Sequence, residues 1–316
     1  MDLGFVLPSA SRESKDVDVA IIGAGPAGLS AGIYAVRAGL KAIIIDKGNA
    51  GGLAEEAPFV ENYLGFEGIK GEDLAKRFKE HAMKYVEISE RNEVKEIIRD
   101  NGIFVIKAEK GEYRAKAIIF ATGTTHKKLN VPGENEFYGK GVSYCVTCDG
   151  YFFRGKKVAV IGGGNSGAIA AIYLKDIGVD PVVLEFMPKY MCEKAYVDII
   201  KEKGIEYITN AMVTEIAGKD KVEKVIYKDR NTGETKEISV DGVFIYIGLI
   251  PISDLAKKLG VETDNRGYIK VSSKMRTNVP MVYAAGDVTG IAGQIIIAAG
   301  QGAMAALTAY EDLTFS

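Results

Sequence analysis

Asp18-Val19-Ala20-Ile21-Ile22-Gly23-Ala24-Gly25-Pro26-Ala27-Gly28 is a short apolar run that ends in a glycine-rich turn. The run reads as a strand buried on both faces. Leu29 to Ala38 is alanine-rich and helical, and Gly39 stops it. Lys41 to Ile45 is the next strand, with Asp46 at its end. Strand, glycine turn, helix and strand make a βαβ unit. The same grammar returns at Lys157 to Ile161, Gly162-Gly163-Gly164-Asn165-Ser166-Gly167, the helix Ala168 to Lys175, and the strand Val182 to Leu184 closed by Glu185. The acid follows the first glycine by 23 positions in both units, 46 − 23 and 185 − 162. That matched spacing marks two Rossmann-like modules.

The expected fold class is α/β, with two Rossmann-like, three-layer dinucleotide-binding domains, the second inserted into the first. The first domain would be 1–126 plus 250–316 and the second 127–249. The chain would then cross between them near Lys127 and near Gly248. Residues 1–16 read as a flexible lead-in. Lys221 to Asp241 alternates β-branched and charged residues around Asn231-Thr232-Gly233, which predicts a hairpin. Ile118 to Gly123 and Val282 to Asp287 read as strand ends that open onto a ligand.

Each fingerprint glycine has its own work. Gly23 permits a tight turn, Gly25 lets backbone approach a pyrophosphate, and Gly28 lets helix pack on strand. Pro26 and Ala27 complete the glycine loop, and the N-terminus of the helix that follows offers free N–H groups and partial positive charge to phosphates. Asp46, followed by Lys47, would accept from a ribose diol. Gly162, Gly164 and Gly167, with Asn165, Ser166 and Glu185, repeat the arrangement for a second nucleotide.

Cys145-Val146-Thr147-Cys148-Asp149 lies between the fingerprints. A Cys-x-x-Cys can be a redox disulfide, half a zinc site or two inert core thiols. Structural zinc takes about four ligands, usually as two such pairs. Besides this pair the chain has only Cys192, His81 and His126, none in paired spacing, so zinc is disfavoured. Asp149 beside the pair can move protons, which argues against inert thiols. Cys192 reads as an ordinary free thiol, Met187, Tyr190 and Met191 as packing or rim residues, and both histidines as ordinary polar residues.

Composition narrows the classes further. The chain has 316 residues, 47% hydrophobic and 26% charged, a globular balance. With 40 basic and 42 acidic residues the net charge is −2, so nothing recommends a nucleic-acid partner. Met1 to Asp18 has no apolar core of a signal peptide. Val243 to Ile252 is too short to span a bilayer. Three cysteines exclude a disulfide-stapled scaffold, and a cytoplasmic location is expected. One glycine loop can hold a flavin nucleotide and the other a second dinucleotide, while the cysteine pair passes two electrons onward.

On these residues the chain resembles the low-molecular-weight thioredoxin reductases. The resemblance runs from about Val17 to the C-terminal helix. It is carried by residues 23–28, Gly51-Gly52-Leu53, Glu61-Asn62, Ala121-Thr122-Gly123, Cys145 to Gly150, Gly162 to Ser166 and Thr277 to Asp287. It implies bound FAD and a homodimer. It implies that Gly51, Gly52, Leu53, Asn62 and Val94 line the cofactor, that Thr122 and Gly123 approach its backbone, and that Gly286 and Asp287 hold its ribityl-phosphate portion. Gln294 and Ile295 would lie near the isoalloxazine. Cys148 would face the flavin, Cys145 would attack the disulfide of thioredoxin or a thioredoxin-like protein, and Asp149 would be the acid or base. A rotation of one domain on the other is also implied.

The chain departs from the family after the second strand. NADPH-using members carry His-Arg-Arg-x-x-x-Arg there, whereas this chain has Glu185-Phe186-Met187-Pro188-Lys189-Tyr190-Met191. No phosphate clamp remains, so NADPH is expected to be a poor donor and NADH the default, with a ferredoxin as the non-nicotinamide alternative. A small-molecule dithiol oxidase using oxygen is a second enzymatic reading. A non-catalytic flavin- or nicotinamide-binding regulator is the reading from another class.

Overall fold

The computed structural model describes residues 14–315. Of the expected lead-in, residues 1–13 lie outside the described residues. Residues 14–16 are instead strand: Ser14–Ile22 pairs in parallel with Gly111–Phe120 from Ser14↔Glu112 to Ile22↔Phe120. The charged start of this strand hid it, because only its second half is apolar.

Seven strands form the first sheet, in the order Glu87–Ser89, Ala42–Ile45, Ser14–Ile22, Gly111–Phe120, Ile103–Ala108 and Val94–Asp100, with Val282–Ala284 also pairing to Gly111–Phe120. Alternate side chains divide between two cores. Ile21, Ile44, Ile119 and Tyr283 face the helices Pro26–Arg37 and Ile295–Phe315. Ile22, Ile43, Ile45 and Phe120 face Phe104, Ile106 and Ala256. Burial on both sides is why these strands read as unbroken apolar runs. The last helix is fastened to the sheet by Asp312, which takes two N–H bonds from Arg276 at 2.6 and 2.8 Å and one from the Tyr283 hydroxyl at 2.8 Å. The Arg276 guanidinium holds the Asp312 carboxyl below the usual range.

The second sheet has five parallel strands: Glu206–Ile208, Asp180–Leu184, Lys157–Ile161, Gly242–Ile245 and Val142–Ser143. An antiparallel sheet of three, Ala211–Gly218, Val222–Asp229 and Thr235–Ser239, packs on it. Its second and third strands are the hairpin expected around Asn231-Thr232-Gly233. Thr124–His126 and Leu249–Pro251 pair antiparallel with each other, and the Lys127 N–H donates to the Gly248 carbonyl at 2.9 Å.

Both fingerprint helices begin earlier than expected, at Pro26 and Asn165 rather than Leu29 and Ala168. The Gly25 carbonyl already accepts from the Leu29 N–H, and that of Gly164 from Ala168, each at 2.9 Å. The last residues of each fingerprint are therefore the first helical turn. Gly23 and Gly162 have φ of +112° and +97°, a region open to glycine. A Cβ on Gly28 would stand 1.8 Å from the Gly23 oxygen, and one on Gly167 1.9 Å from the Gly162 oxygen.

These distances predict opposite fates for two alanine variants. Gly28→Ala should lose about 1–3 kcal/mol or more through overpacking against backbone. Gly164→Ala, at φ −68° with nothing within 4 Å of its Cβ, should leave the denaturation midpoint unchanged. Urea titration of the two proteins checks this.

Candidate functional site

A cleft of about 1970 Å³ runs past both glycine loops. Its first part is walled by Gly25, Pro26, Ala27, Asp46, Lys47, Gly52, Leu53, Asn62, Thr122, Gly123, Gly286, Asp287, Gln294 and Ile295. Gly23, Gly28 and Gly51 shape the turns behind that wall. Val94 stands apart from it, 7% exposed in the core with Ile45 and Phe104. The helix at Pro26 has no side-chain cap, so its first N–H groups remain free. Asp46 accepts from the Ala24 and Gly48 N–H groups, both at 2.6 Å, which clamps the acid onto the glycine loop. Asn62 donates to Gln294 at 3.0 Å across the cleft floor.

Two polar groups on this wall await a partner. The Thr124 hydroxyl is buried without a hydrogen bond. The Asp287 carboxyl has no hydrogen-bond donor among the described residues, and burial pushes it above its ordinary carboxylate value. Free amides, an orphaned hydroxyl and a lone carboxyl along an elongated cleft fit a dinucleotide with its phosphates at the helix start and hydroxyls beyond.

Beyond this, Gly162, Gly164, Asn165, Ser166 and Glu185 continue the same wall, with Gly167 behind them. Glu185 mirrors Asp46: its carboxylate accepts from Gly163 at 2.6 Å and Met187 at 2.7 Å, and it is 6% exposed. Two charge-assisted bonds offset the desolvation of that carboxylate. Asn165 trades hydrogen bonds with Glu193 at 2.7 and 2.8 Å. Met187 and Met191 are exposed, as expected of rim residues, and Phe186 is exposed beside them.

Two residues that contact the second site's wall from outside the cleft lining escaped the sequence reading. Tyr207 braces the loop from below, its hydroxyl donating to the Gly163 carbonyl at 2.9 Å while its ring packs at a tilt against Tyr190. Burial holds that hydroxyl far above its ordinary value. Arg230 reaches over the Phe186 ring at 3.9 Å. Neither lies near its contact in sequence, so no spacing rule could find them.

Cys145 and Cys148 are joined in a disulfide. Cys145 is the N-cap of the turn Val146–Asp149, and its sulfur accepts from the Cys148 N–H at 3.2 Å. Asp149 accepts from the Ser143 hydroxyl at 2.6 Å, and the Cys145 N–H donates back to Ser143 at 3.0 Å. Behind the turn, the Val146 N–H donates at 3.2 Å to Tyr246, whose hydroxyl burial pushes up to about 12. The pair opens onto a separate cavity of about 610 Å³, shared with Glu56, His126, Tyr138 and Tyr144. His126, expected to be an ordinary polar residue, pairs with Glu56 at 2.9 Å and stacks on Tyr144. His81 meets only the edge of Tyr85. Cys192 is a free, half-buried thiol, pushed up by burial.

Two dinucleotide loops facing one cleft, with a vicinal disulfide beside it, define a class of disulfide-linked redox proteins. The chain belongs to the pyridine nucleotide-disulphide oxidoreductase family, whose pattern it matches over residues 17–302. It is 40% identical over 297 residues to a thioredoxin reductase of Bacillus subtilis (strain 168), covering 93% of this chain and 94% of that one. The crystal structure of T. acidophilum thioredoxin reductase superposes with a TM-score of 0.92 at 56% identity, over 95% of this chain and 99% of that one. Lactococcus lactis thioredoxin reductase, in a conformation designated FR, gives a TM-score of 0.90 at 37% identity over 94% and 99%.

The lone carboxyl at 287 makes a prediction about the flavin-free protein. A carboxyl raised on folding stabilises while protonated and loses that contribution as pH climbs through its folded value. Asp287→Asn should therefore raise the melting temperature at pH 7, and the gain should vanish as pH falls through the ordinary carboxylate range. A gain that is the same at every pH would contradict this.

Proposed function

We propose that this protein is an FAD-dependent thioredoxin-disulfide reductase that draws electrons from NADH rather than NADPH. The observation that carries it is a solvent-accessible Cys-x-x-Cys disulfide on a cavity next to a cleft walled by two dinucleotide-type glycine loops. Gly25, Thr124, Asp287 and the backbone N–H groups of Ala27 and Gly28 would hold FAD in the first part of the cleft, and Gly162–Ser166 the nicotinamide donor in the second. FAD, when bound, supplies the two-electron carrier between donor and disulfide.

The chemistry of the thiols follows from their setting. After reduction, the Cys145 thiolate attacks the partner disulfide, forming a mixed disulfide and releasing one partner thiolate. The Cys148 thiolate then attacks the Cys145 sulfur, which restores the intramolecular disulfide and releases the second partner thiolate. The Cys148 N–H aimed at the Cys145 sulfur favours the thiolate at 145. Asp149, anchored by Ser143, would deliver protons to the departing thiolates. Exposed Tyr138, Tyr151 and Phe152 around the pair suit a protein partner of the thioredoxin type. Exposed Ile296, Ile297, Met304 and Leu307 on the last helix suit a second copy of the chain.

Donor choice rests on charge. A 2′-phosphate at the end of the Asp180–Leu184 strand would meet the Glu185 carboxylate and no arginine within Phe186–Met191, while the one guanidinium brought there, Arg230, is committed in part to the Phe186 carbonyl. The disulfide and the nucleotide cleft open on different cavities, which supports a rotation about the paired strands Thr124–His126 and Leu249–Pro251 between half-reactions.

Flavin absorbance checks the donor: NADH should bleach it, and NADPH should need on the order of a hundredfold higher concentration. Bleaching by reduced ferredoxin alone would exclude both nicotinamides. Cys145→Ser or Cys148→Ser should cut thioredoxin reduction by about 10³-fold or more while leaving bleaching intact. A chemical crosslink between the two domains should spare bleaching and stop turnover, and unchanged turnover would refute the rotation.

A further inference from the structure

We infer that Arg230, stacked on Phe186, is the residue that reads the adenine of the second dinucleotide, in place of a clamp for a 2′-phosphate. This rests on the NADH reading above and names the specificity determinant for that site. The loop after the second strand of a Rossmann unit is where the adenosine end of a dinucleotide arrives. Here the loop's own acid is spent inward, since both Glu185 oxygens hold backbone N–H groups. What faces the cleft is the Phe186 ring, 47% exposed.

Arg230 is brought to that ring from the antiparallel sheet, and its position is fixed at several points. Its N–H donates to the Asn210 carbonyl at 2.8 Å, and the Asn210 N–H donates to the Met187 carbonyl at 3.0 Å. Its Nη1 donates to the Phe186 carbonyl at 2.8 Å, and its guanidinium carbon sits 3.9 Å above the ring centroid. Among the described residues no carboxylate forms an ion pair with it. The neighbouring Asp229 is engaged instead by Lys236 at 2.8 Å and by the Asn231 N–H. The guanidinium therefore lies over Phe186, and Arg230 itself remains an exposed residue.

An oriented guanidinium plane resting on an aromatic ring is a stacking surface for a purine. It is a poor phosphate clamp, because part of its donor fork is committed to a carbonyl and Glu185 holds negative charge in the same loop. The ligand it fits is an adenosine diphosphoribosyl group with a free 2′-hydroxyl.

Calorimetry on the flavin-loaded enzyme tests this with ADP-ribose and its 2′-phosphate as probes. Wild type should bind ADP-ribose more tightly than the 2′-phosphorylated form. Arg230→Ala and Phe186→Leu should each weaken ADP-ribose binding by about tenfold with unchanged melting temperature. Arg230→Lys should not restore it, because an ammonium keeps the charge but not the plane. Rescue by lysine, a loss confined to the 2′-phosphorylated probe, or no binding of ADP-ribose to wild type would each overturn the inference. Arg230-dependent ADP-ribose binding without bleaching by NADH would leave it standing and remove the NADH donor instead.

Discussion

Two contacts between a glycine and a carbonyl oxygen support the whole molecule. Gly28 lies on the Gly23 oxygen and Gly167 on the Gly162 oxygen, each too close for any Cβ. These contacts let a helix start directly on a strand end, so its unpaired N–H groups face the cleft. They also set the position of the next strand. In both units its terminal acid reaches back to the N–H just after the first glycine, Asp46 to Ala24 and Glu185 to Gly163, at 2.6 Å in each case. The equal spacing of acid and glycine in the two units has this hydrogen bond as its physical cause.

The two modules meet where Glu56 stands. Its carbonyl accepts from the Thr147 hydroxyl at 2.6 Å, next to the disulfide, and its carboxylate pairs with His126 on a crossing strand. The segment beside the flavin-type loop, the crossing strand and the cysteine turn thus share one residue. Movement of the cysteine turn away from Glu56 has to break the Thr147 bond, whereas the Glu56–His126 pair involves no residue of that turn. The Thr147 bond is partly exposed, so it is a modest barrier rather than a lock.

The second module repeats the glycine loop of the first and differs from it at the rim of the cleft. Glycine loop, uncapped helix start and an acid bonded back to the loop repeat those of the first module. The rim does not: Phe186, Met187 and Met191 stand outward, and the cation that accompanies them comes from the hairpin strand ending at Asp229. Phosphate binding depends on backbone, which tolerates such change. Discrimination among dinucleotides depends on side chains at the rim, where substitution costs the fold little.

Local sequence determined the βαβ units, the hairpin near Asn231-Thr232-Gly233, the glycine turns and the cysteine pair with its neighbouring acid. Each depends on residues close together in the chain, through apolar periodicity, positive φ or fixed spacing. The early helix starts were missed because Pro26 and Asn165 look like turn residues until the Gly25 and Gly164 carbonyls are seen to accept. The charged start of the Ser14–Ile22 strand was missed because its pairing with Gly111–Phe120, about a hundred residues away, supplies what its composition lacks. Tertiary structure alone decided that His126 meets Glu56, that Tyr207 supports Gly163, and that Arg230 covers Phe186. Those contacts join residues dozens of positions apart, and only the packing of sheets and crossing strands brings their side chains within reach.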